Sequence, residues 1–151
     1  MPLHIALFQP DIPGNTGTIL RLGACLDCRV HIVEPAGFRL DDKSLRRAGM
    51  DYLELAALQR HTDWEQFLKW RDEEKVRLIL FTTKAERAYT DFSYNEGDCL
   101  LFGRETAGVP DDVHESCDER VTIPMAAQAR SLNLAMSVAM GAGEALRQIG
   151  R

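Results

Sequence analysis

The sequence predicts a single α/β domain, residues 1–151, built on a mostly parallel sheet flanked by helices. Short continuous apolar runs, such as residues 3–8 and 76–82, have strand length and end in turn residues, as strands buried on both faces do. These runs alternate with segments whose apolar residues recur at helical spacing, the pattern of parallel sheets. A chain of 151 residues can also bury a real core without staples.

Residues 3–8 form the first strand, and a turn rich in Pro and Gly occupies 9–15. A helix over 16–26 directs Ile19, Leu20, Leu22 and Gly23 toward the core. A strand over 29–33 is ended by Pro35 and Gly37, and Asp41 and Asp42 begin a short helix reaching Ala48. A short strand is expected over 53–58. Asp63 caps a helix over 63–71, with Trp64, Phe67 and Leu68 on its core face. Strands follow at 76–82 and 98–103, a short helix starts at Asp111 after Pro110, and 120–123 is the last strand. Ser131 is placed to cap a long helix over 131–149. That helix carries one apolar stripe of Leu132, Ala135, Met136, Ala139, Ala142, Leu146 and Ile149, and a second of Leu134, Val138, Gly141 and Ala145. A helix apolar on two sides needs partners on two sides, supplied by a homodimer, the expected reading, or by a helix wedged inside a monomeric core.

Hydrophobic residues make up 45% and charged residues 27%, and the net charge is −5. These values exclude a disordered tail, a collagen-like fibre, a disulfide mini-protein and a nonspecific coat on nucleic acid. A local basic patch stays open. The first residues lack a basic leader region, and nothing approaches the roughly 18 apolar residues of a membrane span; the expectation is a cytoplasmic protein. Cys25 and Cys28 form a C-x-x-C without further ligands at zinc spacing. His4, His31, His61 and His114 are scattered. No metal is expected.

The sequence lacks a Walker-type phosphate loop, a dinucleotide G-x-G-x-x-G after a strand, a G-x-S-x-G nucleophile elbow and an H-E-x-x-H. Three loops at strand ends remain. The first is Pro10-Asp11-Ile12-Pro13-Gly14-Asn15-Thr16-Gly17, followed by Arg21; a guanidinium there suits a phosphate or carboxylate, or pairs with a surface acid. The second is the G-x-E-x-x-G segment 103–108, where glycines permit close backbone approach to a ligand or simply a tight connection. The third runs from Ile123-Pro124-Met125 to Ser131-Leu132-Asn133, where a helix N-terminus could hold an anion or be capped locally.

Taken in this order and spacing, with His31-Ile32-Val33-Glu34-Pro35, Arg46-Arg47-Ala48-Gly49 and Phe81-Thr82-Thr83-Lys84, these segments resemble the SPOUT superfamily of RNA methyltransferases. Within it the chain is similar to the small single-domain enzymes that 2′-O-methylate the tRNA wobble nucleotide, C or U at position 34. The resemblance spans essentially the whole chain. It implies a C-terminal trefoil knot, a homodimer with the active site near the subunit interface, and bound S-adenosylmethionine. It places the cofactor at Phe81, Gly103, Ile123, Met125, Ser131 and Leu132, and the catalytic positions at Asn15, Arg21, Glu105, Ser131 and Asn133.

A ribose hydroxyl is a poor nucleophile until its proton is removed or shared. The family's proposal gives that task to Arg21, but a guanidinium yields a proton very reluctantly, and orienting phosphate and hydroxyl is the physically easier role. Lys43, Arg46 and Arg47 share one helical face. With Lys84 and Arg130 they are the expected RNA contacts, for a compact element such as an anticodon stem-loop. Rival readings are methylation of another tRNA or rRNA ribose, and a noncatalytic RNA-binding protein with this fold.

Overall fold

A computed structural model describes residues 1–41, 43, 46, 51, 57–129 and 132–150. Six strands form one sheet in the order β3-β2-β1-β5-β4-β6, with every neighbouring pair parallel. The strands are β1 (His4–Phe8), β2 (Arg29–Val33), β3 (Leu58–His61), β4 (Leu78–Phe81), β5 (Cys99–Phe102) and β6 (Glu119–Val121). Among the described residues the α-helices with full bounds are α1 (Pro13–Leu26), α2 (Trp64–Glu74), α3 (Asp111–Ser116) and α4 (Leu134–Gln148).

The strand period of two divides the core. Ile5, Leu7, Ile79, Phe81, Leu100 and Phe102 pack with residues of α1 and α4 on one face. Ala6, Phe8, Leu78, Leu80, Cys99 and Leu101 pack with Phe67, Val113 and Cys117 on the other. The central strands are buried on both sides, which is why they read as continuous apolar runs.

Several boundaries differ from the sequence reading. Helix α1 starts at Pro13, three residues earlier than expected, because proline has no N–H to lose and a backbone angle already suited to the first turn. Strand β3 lies later than the expected 53–58 strand, of which 53–56 fall outside the described residues; it is an edge strand of Leu58, Gln59, Arg60 and His61, too polar to show an apolar run. Asn133, not Ser131, is the residue that caps α4: its side-chain oxygen accepts from the N–H groups of Ala135 and Met136 at 2.8 and 3.3 Å. Asp63 caps α2 as expected, accepting from the Gln66 N–H at 2.8 Å. Lys43 and Arg46 have helical backbone, and the rest of the expected 41–48 helix, apart from Asp41, lies outside the described residues.

Three of the four histidines are not scattered in space. His4 Nδ1 meets His31 Nε2 at 2.9 Å, and His31 Nδ1 meets His61 Nε2 at 2.9 Å. Trp70 and Phe67 pack against this row. Burial lowers the His31 imidazole to about 2, with the neighbouring His4, His61 and Arg29 adding to the effect. Burial, then Arg29, lowers His4 to about 4. Among the described residues no group of three or more His, Cys, Asp or Glu side chains has the geometry to hold a metal ion, and no helix is long and apolar enough to cross a membrane.

Candidate active site

The carboxyl ends of the strands surround a cavity of about 440 Å³, the usual place for a ligand in a sheet of this kind. Phe81, Thr82 and Thr83 reach it from the end of β4, and Phe102 with residues 103–109 from the end of β5. Thr122, Ile123 and Met125 follow β6, Leu132, Asn133, Leu134 and Ser137 lie at the start of α4, and Ile12 and Asn15 come from the N-cap and first turn of α1. The first and third loops touch directly, Asn133 Nδ2 donating to Asn15 Oδ1 at 3.1 Å.

The wall after β5 depends on glycine. Arg104 and Gly108 exchange both backbone hydrogen bonds, at 3.0 and 2.9 Å. A Cβ on Gly103 would lie 2.7 Å from the carbonyl carbon of Gly108, closer than a side chain tolerates. Arg104 lines the cavity with its guanidinium 5.5 Å from the Phe8 ring centre and donating to the Gly108 carbonyl. Gln9, which accepts a 3.4 Å bond from it, has a left-handed backbone with φ 46°.

Glu105 is the electrostatic oddity of this region. Both of its carboxylate oxygens are buried without a conventional hydrogen-bond partner, as is Asp11 Oδ1. Burial raises the Glu105 carboxyl above its ordinary range, and the Asp11 carboxylate beside it adds to the rise. The Thr106 hydroxyl, donating to Asp11 Oδ2 at 2.6 Å, holds Asp11 below its ordinary range.

Of the residues singled out from sequence, Asn15, Phe81, Gly103, Glu105, Ile123, Met125, Leu132 and Asn133 converge on the cavity. Arg21 sits exposed on α1, outside the cavity wall. Ser131, Arg47 and Arg130 lie outside the described residues. Lys43, Arg46 and Lys84 are exposed, and none lines the cavity. Sequence reasoning missed Asp11 and Thr106, whose only signal was their position inside the first and second loops.

Residues 2–142 match the SpoU rRNA Methylase family. The chain belongs to that family. A tRNA (cytidine(34)-2′-O)-methyltransferase of Beijerinckia indica is 55% identical over 146 residues, covering 97% of this chain and 91% of that protein. A solved structure concerned with 2-OH methylation of C/U34 on tRNA superimposes with TM-score 0.87 at 38% identity, covering 97% of this chain and 95% of the other. The SpoU methyltransferase AviRb from Streptomyces viridochromogenes, in complex with the cofactor AdoMet, aligns with TM-score 0.85 and 28% identity over 97% of this chain and 60% of AviRb.

Proposed function

We propose that this SpoU-family chain transfers a methyl group from S-adenosylmethionine to the ribose 2′-OH of the anticodon wobble nucleotide of tRNA. One observation carries the reading: the cavity at the strand ends is joined through Asn133 to Asn15 in a chain that matches wobble 2′-O-methyltransferases along almost its whole length. The cavity suits the cofactor. Apolar Phe81, Ile123, Met125, Leu132 and Leu134 can enclose an adenine ring, while the 103–109 backbone and the Thr82 and Thr83 hydroxyls offer polar partners.

S-adenosylmethionine supplies an electrophilic methyl group. The protein's share is to bring a ribose hydroxyl in line with it and exclude water. Phe81, Gly103, Ile123, Met125, Ser131 and Leu132 are the cofactor-binding residues of this reading. Asn15, Arg21, Glu105, Ser131 and Asn133 are its catalytic residues. Asn15 and Asn133 present amide groups at the mouth of the cavity, and Arg21, one and a half turns further along α1, orients the substrate phosphate and hydroxyl.

The reading includes a trefoil knot at the C-terminal end, a cytoplasmic location, and a homodimer. The dimer is supported by large apolar side chains left exposed: Ile12 and Leu132 at the cavity, and Met136 and Met140 on α4. Lys43, Arg46, Arg47, Lys84 and Arg130 make the RNA face. An Arg46→Glu variant is expected to bind an anticodon stem-loop more weakly and with a shallower salt dependence; unchanged affinity and slope would move the RNA elsewhere.

The deciding experiment is transfer of labelled methyl from S-adenosylmethionine to undermodified total tRNA, followed by mapping of the labelled nucleotide. Label on a wobble 2′-O-methyl nucleotide is the expected result. Label at another ribose would keep the chemistry and correct the target. Cofactor binding without transfer to any RNA would favour a noncatalytic RNA-binding protein.

A further inference from the structure

Gly141 is buried in the interior of α4, about two turns past the first residue of the helix. A Cβ at this position would lie 2.8 Å from both Cε2 and Cζ of Phe81, and 3.4 Å from Cζ of Phe102. Carbon atoms in ordinary contact stand about 3.5–4.0 Å apart, so the bare backbone of the helix is the surface on which the edge of the Phe81 ring rests. Glycine inside a helix is unfavourable relative to alanine, and the close approach of Phe81 is the packing reason for it here. Gly143, on the same helix, differs: it is exposed, and a Cβ there would meet nothing within 4 Å.

Phe81 has little room to yield. It ends β4, where its backbone is in register with Phe102 on one side and Val121 on the other. Its ring stacks on Phe102 with centroids 4.7 Å apart and planes 29° apart, and Tyr89 stands against it at 6.1 Å. The free space beside the ring is the cavity that Phe81 and Phe102 both line. Leu134 and Ser137 line that cavity directly, and Gly141 continues their face of α4 at i+7 and i+4. Gly141 itself does not line the cavity and reaches it through Phe81. A methyl group at 141 would therefore push the ring into the space that a ligand needs.

We propose that Gly141 is a positioning residue for S-adenosylmethionine. It lets α4 lie against the edge of Phe81, so that the ring stands back as a wall and leaves the cavity deep enough for the cofactor. The inference rests on the cofactor reading above and deepens it by naming the residue that sets this depth. The sizes of the side chains at 141 and 81 form one complementary pair: a larger residue at 141 is accommodated only with a smaller one at 81.

The test is a double-mutant cycle on equilibrium binding of S-adenosylmethionine, in wild type, Gly141→Ala, Phe81→Leu and the two changes combined, with Gly143→Ala as the control. Leucine lacks the two ring atoms that a Cβ at 141 would strike. Gly141→Ala is expected to weaken binding about tenfold and Phe81→Leu about threefold, while the double variant stays within about threefold of wild type; independent effects would multiply to about thirtyfold. In Gly141→Ala the loss falls on KM for S-adenosylmethionine, with kcat on tRNA at saturating cofactor within about threefold of wild type. Gly143→Ala makes the same change of residue on the exposed side of α4 and binds as wild type does, which separates the Phe81 contact from helix propensity. Wild-type affinity in Gly141→Ala, or independent losses that multiply in the double variant, would overturn the proposal. If Gly141→Ala does not fold, the double variant decides: affinity close to that of Phe81→Leu supports the pair, and a further loss of about tenfold, or failure to fold, overturns it. A wild-type protein that binds no S-adenosylmethionine would instead overturn the cofactor reading, and this inference with it.

Discussion

Two of the places where this molecule buries polar, titratable groups treat them in opposite ways. On the α2 face of the sheet, His4, His31 and His61 are joined ring to ring by 2.9 Å hydrogen bonds and packed by Phe67 and Trp70. At the carboxyl ends of the strands, Asp11 and Glu105 leave three buried oxygens without a conventional donor. The first arrangement is satisfied and lies away from the cavity. The second is frustrated and forms part of the site's framework. Of the orphaned buried polar atoms among the described residues, three belong to Asp11 and Glu105 beside the cavity, and the fourth is Trp64 Nε1 on α2.

The comparison can be broken most forcefully at Phe67, which is fully buried with its ring edge-on to His31 and His61. Phe67→Ala is expected to cost about 3–5 kcal/mol in denaturant unfolding, while the folded protein keeps its S-adenosylmethionine affinity. A parallel loss of affinity would mean that the two regions are coupled. The next effect is on pH. The folded chain keeps these imidazoles neutral, so the unfolded chain binds more protons once pH drops below the ordinary histidine value. Stability is therefore full above about pH 6.5 and declines as pH falls toward 4. A loss of order 2 kcal/mol by about pH 5 is expected in thermal or chemical unfolding, after allowance for screening at partly exposed His4. A flat profile would show that the row is solvated.

The smallest effect on stability, and the sharpest test of the site, is at Asn133. Asn133→Ala removes the α4 cap and should cost about 1 kcal/mol, together with most of the methyl transfer. Asn133→Asp restores the cap acceptor but cannot donate to Asn15 Oδ1. Stability should return with aspartate while transfer does not. Recovery of both would reduce Asn133 to a helix cap.

The sheet was legible in the sequence because its central strands are apolar on both faces and bounded by Pro, Gly and Asp. Helix α2 was legible through Asp63 and the spacing of Trp64, Phe67 and Leu68. What escaped depends on distant contacts. Ser131 and Asn133 are both good capping residues, and only the packing of α4 decides between them. Polar β3 is a strand because β2 offers it a free edge, not because of its own composition. The histidine row joins three strands, and no local pattern announces it. Glu105 was visible inside a recognisable loop. Its partner Asp11 was not, because their proximity exists only after β1 and β5 pair.

That pairing also governs when the protein can become itself. β1 sits at the middle of the sheet, with one edge on β2 and the other on β5. During synthesis the β2 edge can zip early, since only α1 intervenes. The other edge must wait until Cys99–Phe102 has left the ribosome, and the cavity must wait longer still, for the start of α4. Non-local parallel pairing is slow, so a nascent chain carries an open, apolar β1 edge through most of its translation. The same connectivity that brings four strand ends to one cavity makes the half-made chain a client for chaperones.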